Sequence, residues 1–197
     1  MALPTYDKSK RKQNFNYEIL PKNAYVLKIL NAKEEQNKKG SGSHLTISFD
    51  VAEGEYKDFY LKQYKDNPNE DKKWANDGTF YLTVPTDNCE SYIWDNWNTF
   101  FANLEDSNNG FVFAGNPETL KGKLIGGKMY IEQSVYKGTV YDHCKLKWTC
   151  IAEDVRQGKA GKLPNDKLAD SPKSSTTAAD DDGFVNVPEG IDEELPF

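Results

Sequence analysis

Cysteine is scarce in this chain. Cys89, Cys144 and Cys150 form an odd set of three with no metal-like spacing. Cys144 and Cys150 share a parity on one predicted strand, which puts them roughly 20 Å apart, too far for a disulfide. A disulfide scaffold and a zinc ribbon are thereby excluded, and structural thiols in a reducing compartment are expected. Histidine is scarcer: His44 and His143 are the only two, and neither lies in an HxxxH pattern. No G-x-S-x-G, P-loop or dinucleotide fingerprint occurs, and Gly126-Gly127 lacks the spacing and the following helix of a phosphate loop. No carboxylate pair is singled out for acid–base work. The expectation is a protein that is not an enzyme, with no catalytic residue, no metal and no cofactor. Long apolar runs are missing as well. Nothing approaches a membrane span, and Met1–Tyr6 lacks the apolar core of a signal peptide, so a cytoplasmic protein is expected.

Positive charge is missing from one end only. Residues 180–197 contain seven acidic residues and no lysine or arginine. Residues 1–156 carry 21 basic and 22 acidic residues, a net −1, and residues 157–179 carry a net +2. The chain's −6 therefore belongs to its tail and does not argue against a polyanion-binding body. Four stretches follow from composition. Residues 1–22 form a basic arm around Lys8–Lys12, residues 23–158 a folded domain, residues 159–179 a flexible linker rich in Lys, Ser, Thr and Ala, and residues 180–197 an acidic tail. The tail cannot bury enough apolar surface to offset its ordering entropy and is expected to be disordered. Its tip, Asp192-Glu193-Glu194-Leu195-Pro196-Phe197, sets an apolar plug behind three carboxylates. That is the chemistry of a short peptide that docks in a basic-rimmed pocket.

Within the domain, Ala24–Lys33 reads as a strand apolar on both parities. The turn-rich loop at 36–43 carries Lys38 and Lys39. Leu45, Ile47, Phe49 and Val51 alternate with polar residues on a second strand. After a turn at Glu53-Gly54-Glu55, Lys57–Tyr64 reads as a third strand, with Phe59 and Leu61 inward and Tyr60, Lys62 and Tyr64 outward. Residues 80–84 read as a short strand or an extended lead-in. Residues 87–107 form the one convincing helix, its stripe of Ile93, Trp97, Phe100, Phe101 and Leu104 facing the core and Asp87 and Glu90 resembling a capping box. Leu124–Val135 and Thr139–Ala152 complete the pattern, with Trp148 on the core parity of the last strand. The chain is thus expected to be mainly β with one main helix. Strands with a helix between the third and fourth follow the order of the OB-fold, a five-stranded Greek-key barrel that binds oligonucleotides across its second and third strands.

The stretches 49–60, 120–127 and 151–159 resemble a family of OB-fold-like single-stranded DNA-binding proteins from phages and mobile elements of Gram-positive bacteria. Separately, the tip resembles the acidic C-terminus of bacterial single-stranded DNA-binding proteins, with Glu193-Glu194 for Asp and Leu195 before Pro196-Phe197. The resemblance implies DNA binding in the bacterial host cytoplasm and recruitment of phage or host replication, recombination and repair proteins by Asp192–Phe197. A single strand is held by basic side chains and aromatic platforms. The expected platforms are Tyr60, Tyr64 and Trp74, with Tyr130 and Tyr141 as extensions, and the expected charges are Lys38, Lys39, Lys62, Lys72 and Lys73. Little sequence preference is expected, because every base has a π-face. An OB-like protein–protein adaptor and a strand-annealing recombination factor are the alternatives, and a homo-oligomer is compatible with each.

Overall fold

The computed structural model describes residues 5, 7, 8, 11–38, 40 and 42–169. β1 (Ala24–Gln36) and β2 (Ser43–Val51) form a hairpin, followed by α1 (Phe59–Asp66), a 3-10 turn at Asn76–Gly78 and β3 (Thr79–Thr83). Then come α2 (Ser91–Asp106), a 3-10 turn at Pro117–Leu120, the hairpin of β4 (Leu124–Tyr136) and β5 (Thr139–Cys150), and α3 (Ala152–Arg156). The strands form one antiparallel sheet in the order β3-β2-β1-β4-β5, with β1 central and β3 and β5 at the edges. The chain is mainly β, as its alternating apolar pattern requires. Leu27, Ile29, Ile47, Phe49, Val51, Met129 and Cys144 belong to the core and are almost wholly buried. Gly126 and Gly127 serve close packing: a Cβ on Gly126 would meet Cys150 Sγ at 2.7 Å, and one on Gly127 would strike Leu27.

The strand expected over 57–64 is a helix, and the third strand of the sheet is residues 79–83. Asp50 explains the switch. It lies near the end of β2, buried, and its carboxylate accepts hydrogen bonds from the N–H groups of Val51 (2.8 Å), Tyr60 (3.0 Å) and Leu61 (2.9 Å). Two of the N–H groups that a helix start leaves unpaired are thus satisfied from a strand. Asp58, at φ 59°, turns the chain into α1. Burial pushes the Asp50 carboxyl above its usual range while the three N–H donors pull it back.

α2 begins at Ser91, one turn later than the capping-box pattern suggests, because no side chain caps it and Cys89 N–H instead closes a turn onto Thr86 O at 3.1 Å. Only its second half is sunk in the core, through Phe100, Phe101 and Leu104. The two sheet edges come close without pairing, and α2 lies over the seam between them. Phe80 of β3 stacks on Phe100 at 6.0 Å, and Asn103 Nδ2 donates to Thr149 Oγ1 of β5 at 3.1 Å. Elsewhere along the seam, the Asn76–Gly78 turn reaches β5, where Asp77 lies 3.3 Å from His143.

Both flanks of the expected domain are docked on it. Leu20 is 1% exposed and part of the core. Residues 12–18 run along 63–71 through two hydrogen bonds between Gln13 and Asn69, one from Gln63 to Glu18 O and one from Asn67 to Tyr17. At the other end, Lys167 bonds along β4, donating to Ile131 O at 2.9 Å and accepting from Gln133 N–H at 2.8 Å. The free edge is available there because β1 pairs with β4 only over Leu124–Lys128. Among the described residues no helix is long and apolar enough to cross a membrane.

Candidate nucleic-acid interface

The aromatic residues expected to stack on bases pack mainly on one another. Tyr60, on α1, is 3% exposed, its ring centroid 6.0 Å from Phe49 and 6.4 Å from Trp74. Tyr60 is therefore a core residue, because the helix turns it inward where a strand would have turned it out. Tyr64 and Trp74 are half-buried and lie 6.0 Å apart. The indole N–H of Trp74 donates to Gly78 O at 3.0 Å, and a Cβ on Gly78 would meet that indole nitrogen at 2.8 Å. Trp74 thus braces the connection between β2 and β3.

The lysines divide likewise. Lys72 donates to Asn67 O at 3.0 Å and lies 5.2 Å from the Tyr64 ring, so its ammonium neutralises the carbonyl end of α1. Lys62 donates to Lys57 O at 2.8 Å. Lys38 and Lys73 are exposed, Lys38 at the β1–β2 turn and Lys73 beside Trp74. Lys39 and the tip residues Asp192, Glu193, Glu194, Leu195, Pro196 and Phe197 lie outside the described residues.

A second set of aromatics is exposed and comes together. Tyr81 of β3 (54% exposed), Tyr92 of α2 (60%) and Trp148 of β5 (50%) line one open cleft of about 460 Å³ between the two sheet edges and α2. Lys128 and Lys147 line it too. Trp148, expected in the core, is turned out by a β-bulge. Lys128 pairs with Trp148 and Met129 with Leu146, which leaves Lys147 as the extra residue of β5. On a regular strand, neighbours face opposite sides. The bulge resets the parity, so that Leu146 is buried while Lys147 and Trp148 are both exposed.

Charge pairing distinguishes the cleft from its surroundings. Two residues from Lys147, Lys145 is held by Glu132 Oε2 at 2.7 Å, and Lys167 reaches Glu132 Oε1 at 2.8 Å. Those two cations hold the Glu132 carboxyl down at about 2. Lys128 and Lys147 have no carboxylate partner among the described residues, and Lys147 lies 5.7 Å from the Tyr130 ring. Beside the cleft on the outer sheet face, Tyr81 meets His44 edge-on at 5.5 Å. Tyr141 is exposed near the β4–β5 turn.

The remaining titratable cluster is closed. Burial pushes the Asp77 carboxyl up, against the pull of His143 and Lys145, and pushes the Cys144 thiol up to about 12. The Tyr60 hydroxyl is buried beside them with no hydrogen-bond partner among the described residues. Asp77 and the His143 ring sit at ion-pair distance without an aligned hydrogen bond, and His143 Nε2 is 3.0 Å from Ser134 Oγ. Among the described residues no group of three or more His, Cys, Asp or Glu side chains is gathered to hold a metal ion.

Of the cleft residues, Tyr92 was legible in the sequence. It falls off the stripe Ile93–Trp97–Phe100–Leu104, so a helix buried on that stripe has to show it to solvent. Trp148 was not, since a bulge leaves no mark in a two-residue alternation. No family model matches the chain, and no curated protein matches it.

Proposed function

We propose that this protein binds single-stranded DNA across the seam between β3 and β5. The observation that carries the reading is the cleft. Three exposed aromatic rings from three separate elements converge there with two lysines that have no carboxylate partner among the described residues. A single strand offers phosphates to the lysines and unstacked bases to the rings, and each base–aromatic stack contributes about 1–3 kcal/mol. Stacking tolerates any base, so little sequence preference follows. We read the sheet as a partly open five-stranded barrel of OB type, with α2 set in the gap between its edge strands. The strand order and the approach of β3 to β5 support that reading.

On this reading the folded body holds DNA, and the tip Asp192–Phe197 recruits replication, recombination or repair proteins. The tip's case rests on its sequence, an apolar plug behind carboxylates. The test of the DNA reading is a titration of oligo-dT at two salt concentrations, followed by tryptophan fluorescence. Binding is expected to weaken with salt, with a log–log slope of about −0.7 per phosphate neutralised. A flat salt profile, or no binding, contradicts it. A protein that anneals complementary strands faster than they anneal alone would be the recombination factor instead.

A further inference from the structure

We propose that the cleft between β3, α2 and β5 is a pocket for one nucleobase, which it reads along the base edge through Asn96. The inference rests on the DNA-binding reading and adds to it: most of the bound strand is held without regard to sequence, and one position is not.

Three features of the cleft lead there. Three of its lining side chains, Tyr81, Tyr92 and Trp148, are flat aromatic rings set among polar residues. Its volume of about 460 Å³ lies in the range of sites that enclose small molecules, roughly 300–1,000 Å³. A smooth stacking platform on a sheet face has no cleft of that volume. The wall given by α2 carries Asn96 and Thr99, both exposed and both without a side-chain hydrogen-bond partner among the described residues. A carboxamide presents one donor and one acceptor side by side. Adenine offers the matching acceptor and donor at N7 and N6, the pair that Asn and Gln take bidentately. Lys147, without a carboxylate partner among the described residues, lines the same cleft and is the group for the attached phosphate. A cation is a poor occupant beside two lysines, and a purely apolar ligand would leave Asn96 unused. An anion bearing a flat ring with a polar edge satisfies all three features, and a nucleotide is that ligand.

α2 is built for this role. Its fully buried residues begin at Phe100 and Trp97 packs on Phe101 at 4.8 Å, while Tyr92 and Asn96, off that stripe, stand on the cleft side. The bulge at Lys147 supplies the opposite wall by turning Trp148 outward.

The experiment uses the full chain and mononucleotides, which test the pocket without the rest of the strand. dAMP, dTMP and deoxyribose 5-phosphate are titrated separately against the wild type, Trp148→Phe and Asn96→Ala, with tryptophan fluorescence as the signal. We expect dAMP to quench the wild type at millimolar concentration or below. Deoxyribose 5-phosphate should give no quench, and Trp148→Phe should lose most of it. Asn96→Ala should reduce the preference for dAMP over dTMP by roughly fivefold, in line with one lost base-edge contact. Circular dichroism of each variant shows that it is folded. If wild-type and Asn96→Ala proteins rank the two nucleotides alike, or if Trp148→Phe quenches as the wild type does, the pocket is overturned. The two readings fail separately: salt-dependent oligo-dT binding without the mononucleotide effects sinks the pocket alone, and dAMP quenching without oligonucleotide binding sinks the DNA function alone.

Discussion

Tyr60, Tyr64 and Trp74 on one side, and Tyr81, Tyr92 and Trp148 on the other, are two sets of three aromatic side chains put to opposite use. In the first set Tyr60 is buried, Tyr64 and Trp74 are half-buried, the indole N–H is taken by Gly78 O, and the nearby lysine closes a helix end. In the second set each ring is about half exposed, and the lysines beside them have no carboxylate partner among the described residues. Residue type and a basic neighbourhood are common to both. What separates them is how deeply the rings are packed and whether the indole N–H and the neighbouring cation are already engaged. The Tyr60 hydroxyl, buried with no hydrogen-bond partner among the described residues, is the exception in the first set. A site with its hydrogen bonds made is a structural joint, whereas one with rings and charges left open has something to offer a ligand.

That contrast can be broken at several points. The largest effect is expected in the closed set: Trp74→Ala should destabilise the fold by about 3 kcal/mol, as loss of a large packed aromatic does, measured by urea unfolding. A change under about 0.5 kcal/mol would mean that the ring is free after all. Asp50→Ala should cost about 2 kcal/mol, because Tyr60 and Leu61 N–H lose their acceptor, and far-ultraviolet circular dichroism should show the loss of α1. Lys147→Ala should reduce the salt slope of oligo-dT binding by about 0.7, and Lys128→Ala by a similar amount. Lys145→Ala should leave the slope unchanged, since Glu132 already neutralises that lysine.

The smallest effect concerns Glu132. Its folded-state pKa, about 2, lies below the ordinary value of 4.5. The stabilisation it gives is therefore complete above the ordinary value and is lost as pH falls towards 2. The hydrogen-exchange protection factors of Lys167 and Gln133 N–H, the bonds that hold the 166–169 segment to β4, should fall over that window once the intrinsic pH dependence of exchange is divided out. Glu132→Gln should show the faster exchange at neutral pH.

Much of the sheet was legible in the sequence. β2, β4 and β5 fall where apolar alternation and two turns put them, because side chains that alternate between a core and solvent impose that period directly, and β1, apolar on both parities, falls where a strand covered on two sides is expected. The core stripe of α2 was legible for the same reason at the helical period. Two features were not. In α1, Phe59 and Leu61 mimic a strand, and the interaction that decides for helix comes from Asp50, outside any local window. In β5, one inserted residue reverses the parity, so Trp148 reads as core and stands in solvent. The candidate site depends most on these two features. A strand over 57–64 would turn Tyr60 outward where the helix turns it in, and a regular β5 would bury Trp148 where the bulge exposes it. Trp74 differs for a third reason: its polar neighbours in sequence predict exposure, whereas the backbone folds back to half-bury the ring and give its indole an acceptor at Gly78.

The most direct measurement compares two variants in one assay, the affinity of Trp148→Ala and of Trp74→Phe for labelled oligo-dT, read by fluorescence anisotropy at fixed salt. Trp74→Phe keeps an aromatic ring in the packed set. We predict that Trp148→Ala weakens binding by about 1–3 kcal/mol, the loss of one base stack, while Trp74→Phe binds as the wild type does. Wild-type affinity in Trp148→Ala together with a loss in folded Trp74→Phe would contradict the assignment of the cleft and return the DNA to the face of α1.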